Sequence, residues 1–266
     1  MLNDKYQHEI NCLEKRYSVE LIKFQMFNCL DSTNKKMWQL IDNNSELPIA
    51  IIAVQQTSGK GQWGKTWQSG LGGLYLSVAL KCDLILEHSF HLVMAIAVGI
   101  TDILRDRQLP VTIKWSNDLI LNKRKLGGIK IETRTKNNLI KYAVVGVGIN
   151  WQNSVPEIGI NLASYYQNQI QIPRGQQINS LEQLTAITTV GILKGYQDYQ
   201  QLGISYTLQK YQQLLNSIGK QITINNYLGI ITGVTPQGQL KVRLKSPGAT
   251  TEIFLDPGKF SLGYDL

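Results

Sequence analysis

Between Val111 and Asn150 the chain reads as strand after strand. Val111 to Trp115, Leu119 to Leu121, Gly128 to Glu132 and Leu139 to Asn150 are short apolar or alternating stretches separated by turns. The helical patterns lie elsewhere in the chain. Strands in one run and helices in others argue for an α+β fold with a mixed, largely antiparallel sheet and helices packed on it, not a doubly wound one.

Upstream, residues 1–17 read as a short polar helix or a loose lead, and Val19 to Phe27 as a strand. Asp31-Ser-Thr-Asn34 then opens a helix, because short side-chain oxygens satisfy free N–H groups at a helix start. Met37, Trp38, Leu40 and Ile41 supply its apolar face, and Leu47-Pro48 ends it. Ile49 to Gln55 is an apolar strand. Thr57 to Gly73 holds six glycines (59, 61, 64, 70, 72 and 73) and is a loop with unusual backbone freedom. Leu74 to Leu80 is a strand, and Phe90 to Arg107 a helix that is apolar almost all round. Ser180-Leu-Glu-Gln183 resembles a capping box. A helix follows to about Ser217, weakened or broken by Gly191, Gly195 and Gly203. The Gln/Asn-rich stretch Tyr165 to Asn179 reads as a loop. Beyond Gly219, four short strands (Gln221 to Ile224, Leu228 to Val234, Leu240 to Leu244, Thr250 to Leu255) alternate with turns such as Pro236-Gln-Gly238 and Ser246-Pro-Gly248. The expected division is a main unit, residues 1–217, and a small β-barrel, residues 218–266, too small to stand alone and therefore packed on the first.

The three cysteines are scattered with no CxxC, and the three histidines sit in no metal-binding pattern. These features argue against a disulfide framework or a structural zinc, and for a reduced, cytoplasmic setting. His88 and His91 lie three apart but have no third ligand near. The apolar run from Phe90 to Leu104 is interrupted by His91, Thr101 and Asp102, so no membrane helix is expected, and the polar start of the chain is no secretory signal. The net charge is +8. Seven basic residues fall between Val111 and Lys136, with only Asp118 and Glu132 against them, and Lys60 and Lys65 add to the glycine loop. Charge concentrated in two central segments suits phosphates, nucleotides, nucleic acid or an acidic protein partner.

Gly59-Lys-Gly-Gln-Trp-Gly64-Lys65-Thr66 matches the phosphate-binding pattern GxxxxGK[ST]. That mechanism needs a helix immediately after the loop. Trp67-Gln-Ser-Gly-Leu-Gly-Gly73 cannot sustain one, so the match is a decoy. Its chemistry survives: free amides and two lysines on a flexible loop can still wrap a polyphosphate.

The same loop, Gln56 to Trp67, resembles the glycine- and arginine-rich loop of the biotin protein ligases. Four further blocks follow that family's order: Asp31-Ser-Thr-Asn34, Lys114-Trp-Ser-Asn-Asp118, Arg124-Lys-Leu-Gly-Gly-Ile129 and Val145-Gly-Val-Gly-Ile-Asn150. The resemblance covers about residues 20–165. It implies a catalytic domain like that of class II synthetases with a small SH3-like C-terminal barrel. It also implies a two-step reaction in which biotin and ATP give biotinyl-adenylate, whose acyl group then passes to a lysine of a biotin carboxyl carrier protein. Ser32, Thr33, Asn34, Gln56, Lys60, Gly127 and Gly128 are implied around biotin. Gly59, Lys60, Gly61, Gln62, Lys65, Trp67, Asn117, Lys125 and Asn150 are implied around ATP or the adenylate, with Trp67 on adenine and Asn150 at its edge. Lys125, Lys114 and Asp118 are the implied catalytic set. Asp118 is left open between orienting lysines, binding metal and accepting the proton of the target amine. Magnesium would arrive with ATP.

The residues fit that chemistry on their own terms. Joining a carboxylate to an α-phosphate means bringing two anions together, so cations and amide N–H groups are needed more than a side-chain nucleophile. A loop that closes over a reactive mixed anhydride and excludes water is equally in keeping. The chain departs from the family where Lys60, Gln62 and Lys65 replace arginines. A lysine lacks the planar fork of arginine, and Gln62 lacks the charge. Ser116 stands where proline is usual, which loosens that turn. Only about 30 residues precede Asp31, too few for a helix-turn-helix unit, so specific DNA binding is not expected. Two other readings remain: a lipoate- or octanoate-transferring relative, and a non-catalytic biotin- or nucleic-acid-binding protein. In every catalytic version, residues 57–66 and 123–128 must share a cavity.

Overall fold

The computed structural model describes residues 11–13, 15–19, 22–167, 172, 177–246 and 249–264. Within them, seven strands form one sheet in the order β1-β2-β3-β7-β6-β5-β4. These are β1 (Lys23–Leu30), β2 (Ile49–Gln56), β3 (Gly73–Ile85), β4 (Thr112–Lys114), β5 (Asp118–Leu121), β6 (Arg124–Lys136) and β7 (Leu139–Asn150). Only β1 and β2 pair in parallel, joined through helix α1 (Thr33–Asp42); every other pairing is antiparallel. The mixed, largely antiparallel α+β sheet read from the strand order is therefore present.

The sheet is covered on both faces, which explains its apolar runs. Along β2, Ala50 and Ile52 join the large core with α2 (Ser89–Asp106) and α4 (Leu181–Leu214). Ile49 and Ile51 turn the other way, toward Met37 of α1. Side chains of a strand alternate between faces, so a strand buried on both must be apolar throughout. The α1 face of the sheet thins out toward β6. There Ser77, Gly146 and Lys130 lie in one cross-strand row, and Tyr75, Gly148, Gly128 and Asp118 in the next. The small residues among them, Ser77, Gly146, Gly148 and Gly128, form the floor of a cleft.

Several elements differ from the sequence expectation. The first strand runs from Lys23 to Leu30, not from Val19. Helix α1 starts at the expected place but ends at Asp42, before Leu47-Pro48, and Ser32 occupies its N-cap position without a side-chain cap bond. Strand β6 starts at Arg124, four residues before the expected start at Gly128, which puts Lys125 and Gly127 in the strand as well. Helix α4 is broken only at Gly203 (φ 76°). Its cap is built as expected at Ser180, whose hydroxyl accepts from Gln183 N at 3.1 Å, while Gln183 Oε1 accepts from Asn179 N at 2.9 Å. Gly191 and Gly195 do not weaken the helix in place. They let α4 press against α2: a Cβ on Gly195 would lie 2.1 Å from the Ala95 carbonyl oxygen, and one on Gly99 2.2 Å from that of Gly191. The stretch Leu86–Asp106 is long and apolar enough to cross a membrane by length and composition alone, but 67% of its most apolar 18-residue stretch is buried inside the protein, as in a core helix.

Residues Tyr165 to Gln167 end a short helix, α3 (Leu162–Gln167), rather than a loop, and most of the remaining Gln/Asn-rich stretch lies outside the described residues. The C-terminal β-module is a four-stranded antiparallel sheet, β11-β10-β9-β8, made of β8 (Gln221–Ile224), β9 (Tyr227–Val234), β10 (Leu240–Ser246) and β11 (Ala249–Leu255). The turn residues Pro247 and Gly248 lie outside the described residues. The rings of His88 and His91 stack at 4.6 Å, and burial holds His91 down at about 4; no cluster of three His, Cys, Asp or Glu side chains occurs among the described residues.

The close contact of α2 and α4 yields a test. Alanine favours a helix over glycine by about 1 kcal/mol, yet Gly195→Ala should destabilise the protein by ~2 kcal/mol because the helices must part. Urea unfolding measures this, and a raised midpoint would contradict the packing described.

Candidate functional site

The site grows from one end of the sheet. Strands β4 and β5 form a tight hairpin in which Lys114 and Asp118 are register partners, and β6 adds Gly128 opposite Asp118. Lys125 lies just beyond a register shift in β6. This brings two ammonium groups to one carboxylate. Lys125 Nζ is 2.7 Å from Asp118 Oδ1 and Lys114 Nζ is 3.8 Å from Oδ2. Lys114 is only 5% exposed and Asp118 9%, so each needs the other's charge. Burial lowers the Lys114 pKa; Asp118 opposes that shift, while Lys125 and Lys65 reinforce it.

The turn between the two strands is pinned rather than loose. Tyr211 of α4 donates to the Ser116 carbonyl at 2.6 Å, and Trp115 Nε1 donates to the Gly238 carbonyl of the C-terminal module at 2.8 Å. Asn117 Nδ2 donates to the Ile129 carbonyl at 2.7 Å, tying the turn to β6.

The glycine loop is more ordered than its composition suggests. Lys60 and Thr66 form a bridge, and the chain reverses at Trp63 and Gly64, both at positive φ (56° and 75°), with Lys65 N bonded to the Gln62 carbonyl. Two central residues at positive φ make the turn preferred in two-residue hairpins. The loop returns so that Trp67 lies against Gly148: a Cβ there would meet the indole nitrogen at 2.4 Å. Lys125 Nζ stands 5.3 Å from the centroid of the same ring.

Two cavities meet at this point. The smaller, about 60 Å³, is lined by Ser32, Thr33, Asn34, Gln56, Lys60 and Gly128, all expected near one ligand half. Here Gln56 Oε1 accepts from Thr33 N at 2.8 Å, while the Ser77 hydroxyl lies 2.6 Å from Asn34 Oδ1. These polar side chains are held by one another, and the Ser32 hydroxyl is not spent on capping the helix. The larger cavity, about 400 Å³, is lined by Lys65, Lys114 and Asn150 among the expected residues. Gly61, Gln62, Trp67, Asn117, Asp118 and Lys125 line both. Residues 57–66 and 123–128 thus share a cavity, as the sequence requires.

Two expected residues line neither cavity. Gly59 is enclosed by its own loop, where a Cβ would lie 2.4 Å from the Trp67 carbonyl oxygen, and Gly127 faces the Gly148 carbonyl oxygen at 2.6 Å. Both are close-packed against backbone. The space left by Gly146 and Gly148 is filled by the Asn34 carboxamide and the Trp67 indole. Asn150 is itself engaged: its Nδ2 donates to the Lys125 carbonyl at 3.3 Å and its Oδ1 accepts from Asn153 at 3.0 Å.

Sequence reasoning missed the outer wall of the larger cavity. Part of it is the segment holding Asn153, Pro156 and Ile158, which runs beside β6 through Lys125 N to the Ile158 carbonyl and Ile160 N to the Lys125 carbonyl. The rest comes from after β11, where Gly258, Phe260, Ser261 and Tyr264 face the cavity. Trp63 at the loop tip packs on Gly258, where a Cβ would come 2.6 Å from the indole. The Asn/Pro composition of the first segment was a turn signal; nothing local marks the second.

Comparison with known proteins finds relatives for the stretch that carries most of this site. A model of the biotin/lipoate A/B protein ligase family matches residues 26–150. The bifunctional ligase/repressor BirA of Bacillus subtilis is 30% identical over 123 residues, 46% of this chain and 38% of that protein. BirA of Escherichia coli is 29% identical over 220 residues, 79% of this chain and 66% of that protein. The chain therefore spans less than two thirds of these relatives. In structure, the biotin protein ligase of Aquifex aeolicus, solved with biotin and ATP, superposes with a TM-score of 0.66 at 21% identity, covering 88% of this chain and 96% of that one, a likeness of fold. Over residues 26–150, just under half of its length, the chain is similar to the biotin/lipoate A/B protein ligase family.

Proposed function

We propose that the protein is an ATP-dependent biotin–protein ligase. The observation that carries this reading is the junction of a small polar cavity and a larger one at Lys125, Asp118 and Gln62. The family's relatives named as ligases, and the Aquifex aeolicus structure with biotin and ATP, support it.

In this reading, biotin's ureido ring enters the smaller cavity. A ureido group has two N–H donors and a carbonyl acceptor, and Ser32, Thr33, Asn34 and Gln56 offer polar partners for them. The apolar ring of lipoate would leave those buried groups unmatched, a costly arrangement. The cavity must widen for a bicyclic ring, and this reading assigns that movement to the Lys60–Trp67 hairpin. ATP occupies the larger cavity, whose volume is in the range of small-molecule sites. A biotin carboxylate oxygen attacks the α-phosphorus, the bond to pyrophosphate breaks, and Lys125 cancels charge on both reactants at the junction. A carrier lysine amine then attacks the acyl carbon, AMP leaves, and an amide forms with loss of the amine proton.

Asp118 is the one acidic side chain lining either cavity among the described residues. Its contacts with Lys125 and Lys114 favour orienting these lysines over the other two roles left open. One engaged carboxylate is a poor magnesium cage, so magnesium enters as the counter-ion of ATP, mostly held by phosphate and water. The partner is a biotin carboxyl carrier protein, whose acidic surface would complement the +8 charge. The cysteines Cys12, Cys29 and Cys82 are free thiols, in keeping with a reducing, cytoplasmic setting.

Pyrophosphate release should require both biotin and ATP and should fall by at least ~100-fold in Lys125→Ala. Preference for lipoate, or biotin binding without pyrophosphate release, would overturn the assignment. A second test concerns Gln62, whose Oε1 is buried without a partner at the junction. Gln62→Arg should slow release of the adenylate by about tenfold, since an arginine would grip its phosphate. Filter binding or stopped flow measures it, and an unchanged release rate would reject this role for position 62.

A further inference from the structure

The carboxylate that gathers the two lysines is itself held from outside the family-matched stretch. The Tyr264 hydroxyl donates to Asp118 Oδ2 at 2.6 Å, across 146 residues of sequence. The same ring lies under the Lys114 ammonium, 4.0 Å from Nζ to its centroid. Lys114 Nζ, at 3.8 Å from Oδ2, is beyond hydrogen-bond distance, so the phenol is the donor that holds this oxygen. The terminal torsion of an aspartate is soft and roughly two-fold. Fixing Oδ2 therefore sets where Oδ1 points, and Oδ1 is the atom that Lys125 approaches to 2.7 Å.

We propose that Tyr264 is a positioning residue for acyl-adenylate formation: by anchoring Asp118 and facing Lys114, it holds the Lys125 ammonium at the junction of the two cavities. This rests on the reading of the chain as a biotin-activating ligase. The segment that delivers Tyr264 is well tethered. Asp256 accepts from Gln239 Nε2 at 2.9 Å, Gly258 seats Trp63, and Leu262 is buried in the main core. The C-terminal module thereby contributes a side chain to the charge cluster as well as a wall to the cavity.

Single-turnover formation of biotinyl-adenylate tests this with Tyr264→Phe, which keeps the ring on Lys114 and so retains the fold. The expected result is a loss of about tenfold in the rate at saturating biotin and ATP, with KM for either changed by less than about twofold. A cycle with Asp118→Asn separates action through Asp118 from direct contact with a substrate. The double variant should be no slower than Asp118→Asn alone, within about twofold. A rate equal to wild type, a change confined to KM, or losses that multiply in the double variant would each overturn the proposal. Failure of the wild type to activate biotin would instead refute the underlying reading, and this proposal with it.

Discussion

A carboxylate out of water between two ammonium groups is the interaction on which this site depends. Lys114 is almost wholly buried and Lys125 partly so, and Asp118 offsets the cost of holding these cations there. The charges are brought together by backbone register: a short hairpin pairs Lys114 with Asp118, and the next strand sets Gly128 opposite Asp118 and carries Lys125. Net positive charge remains after the pairing, directed at the meeting point of two cavities. An arrangement of this kind suits a reaction in which two anionic reactants must touch.

The sheet supplies the space as well as the charge. On the face that carries α1, Ser77, Gly146, Gly148 and Gly128 form adjoining cross-strand positions with little side-chain bulk. On the opposite face, Leu76, Val145, Val147 and Ile149 fill the core beneath α2 and α4. The period-two alternation of strands lets the same strands be packed with bulky side chains below while their small residues above admit the Asn34 carboxamide, the Trp67 indole and the cavity between them. Tight packing of α2 on α4 through Gly99, Gly191 and Gly195 gives the floor a rigid backing.

Much of this was legible in the sequence because it is local or periodic. The order of strands, the cavity shared by the glycine loop and Lys125, and the polar set Ser32, Thr33, Asn34 and Gln56 all follow from short segments. What was illegible is tertiary. Gly191 and Gly195 read as helix-weakening because propensity is local, whereas their use is in helix–helix contact. Gly59 and Gly127 read as ligand-facing because spacing does not say which side of a strand or loop a residue presents. Tyr264 carries no pattern at all, since its bond to Asp118 spans 146 residues of sequence. Asp31 to Asn34 look like caps, yet Thr33 and Asn34 spend their side chains on Gln56 and Ser77.

The central claim is that the two cavities are the two halves of one site joined at Lys125. A crystal structure with a non-hydrolysable mimic of biotinyl-adenylate tests it most directly. The account requires the fused ring among Ser32, Thr33, Asn34 and Gln56, the adenosine in the larger cavity, and the acyl–phosphate linkage within about 3 Å of Lys125 Nζ. A mimic lying wholly within the larger cavity, or with its linkage remote from Lys125, would contradict it.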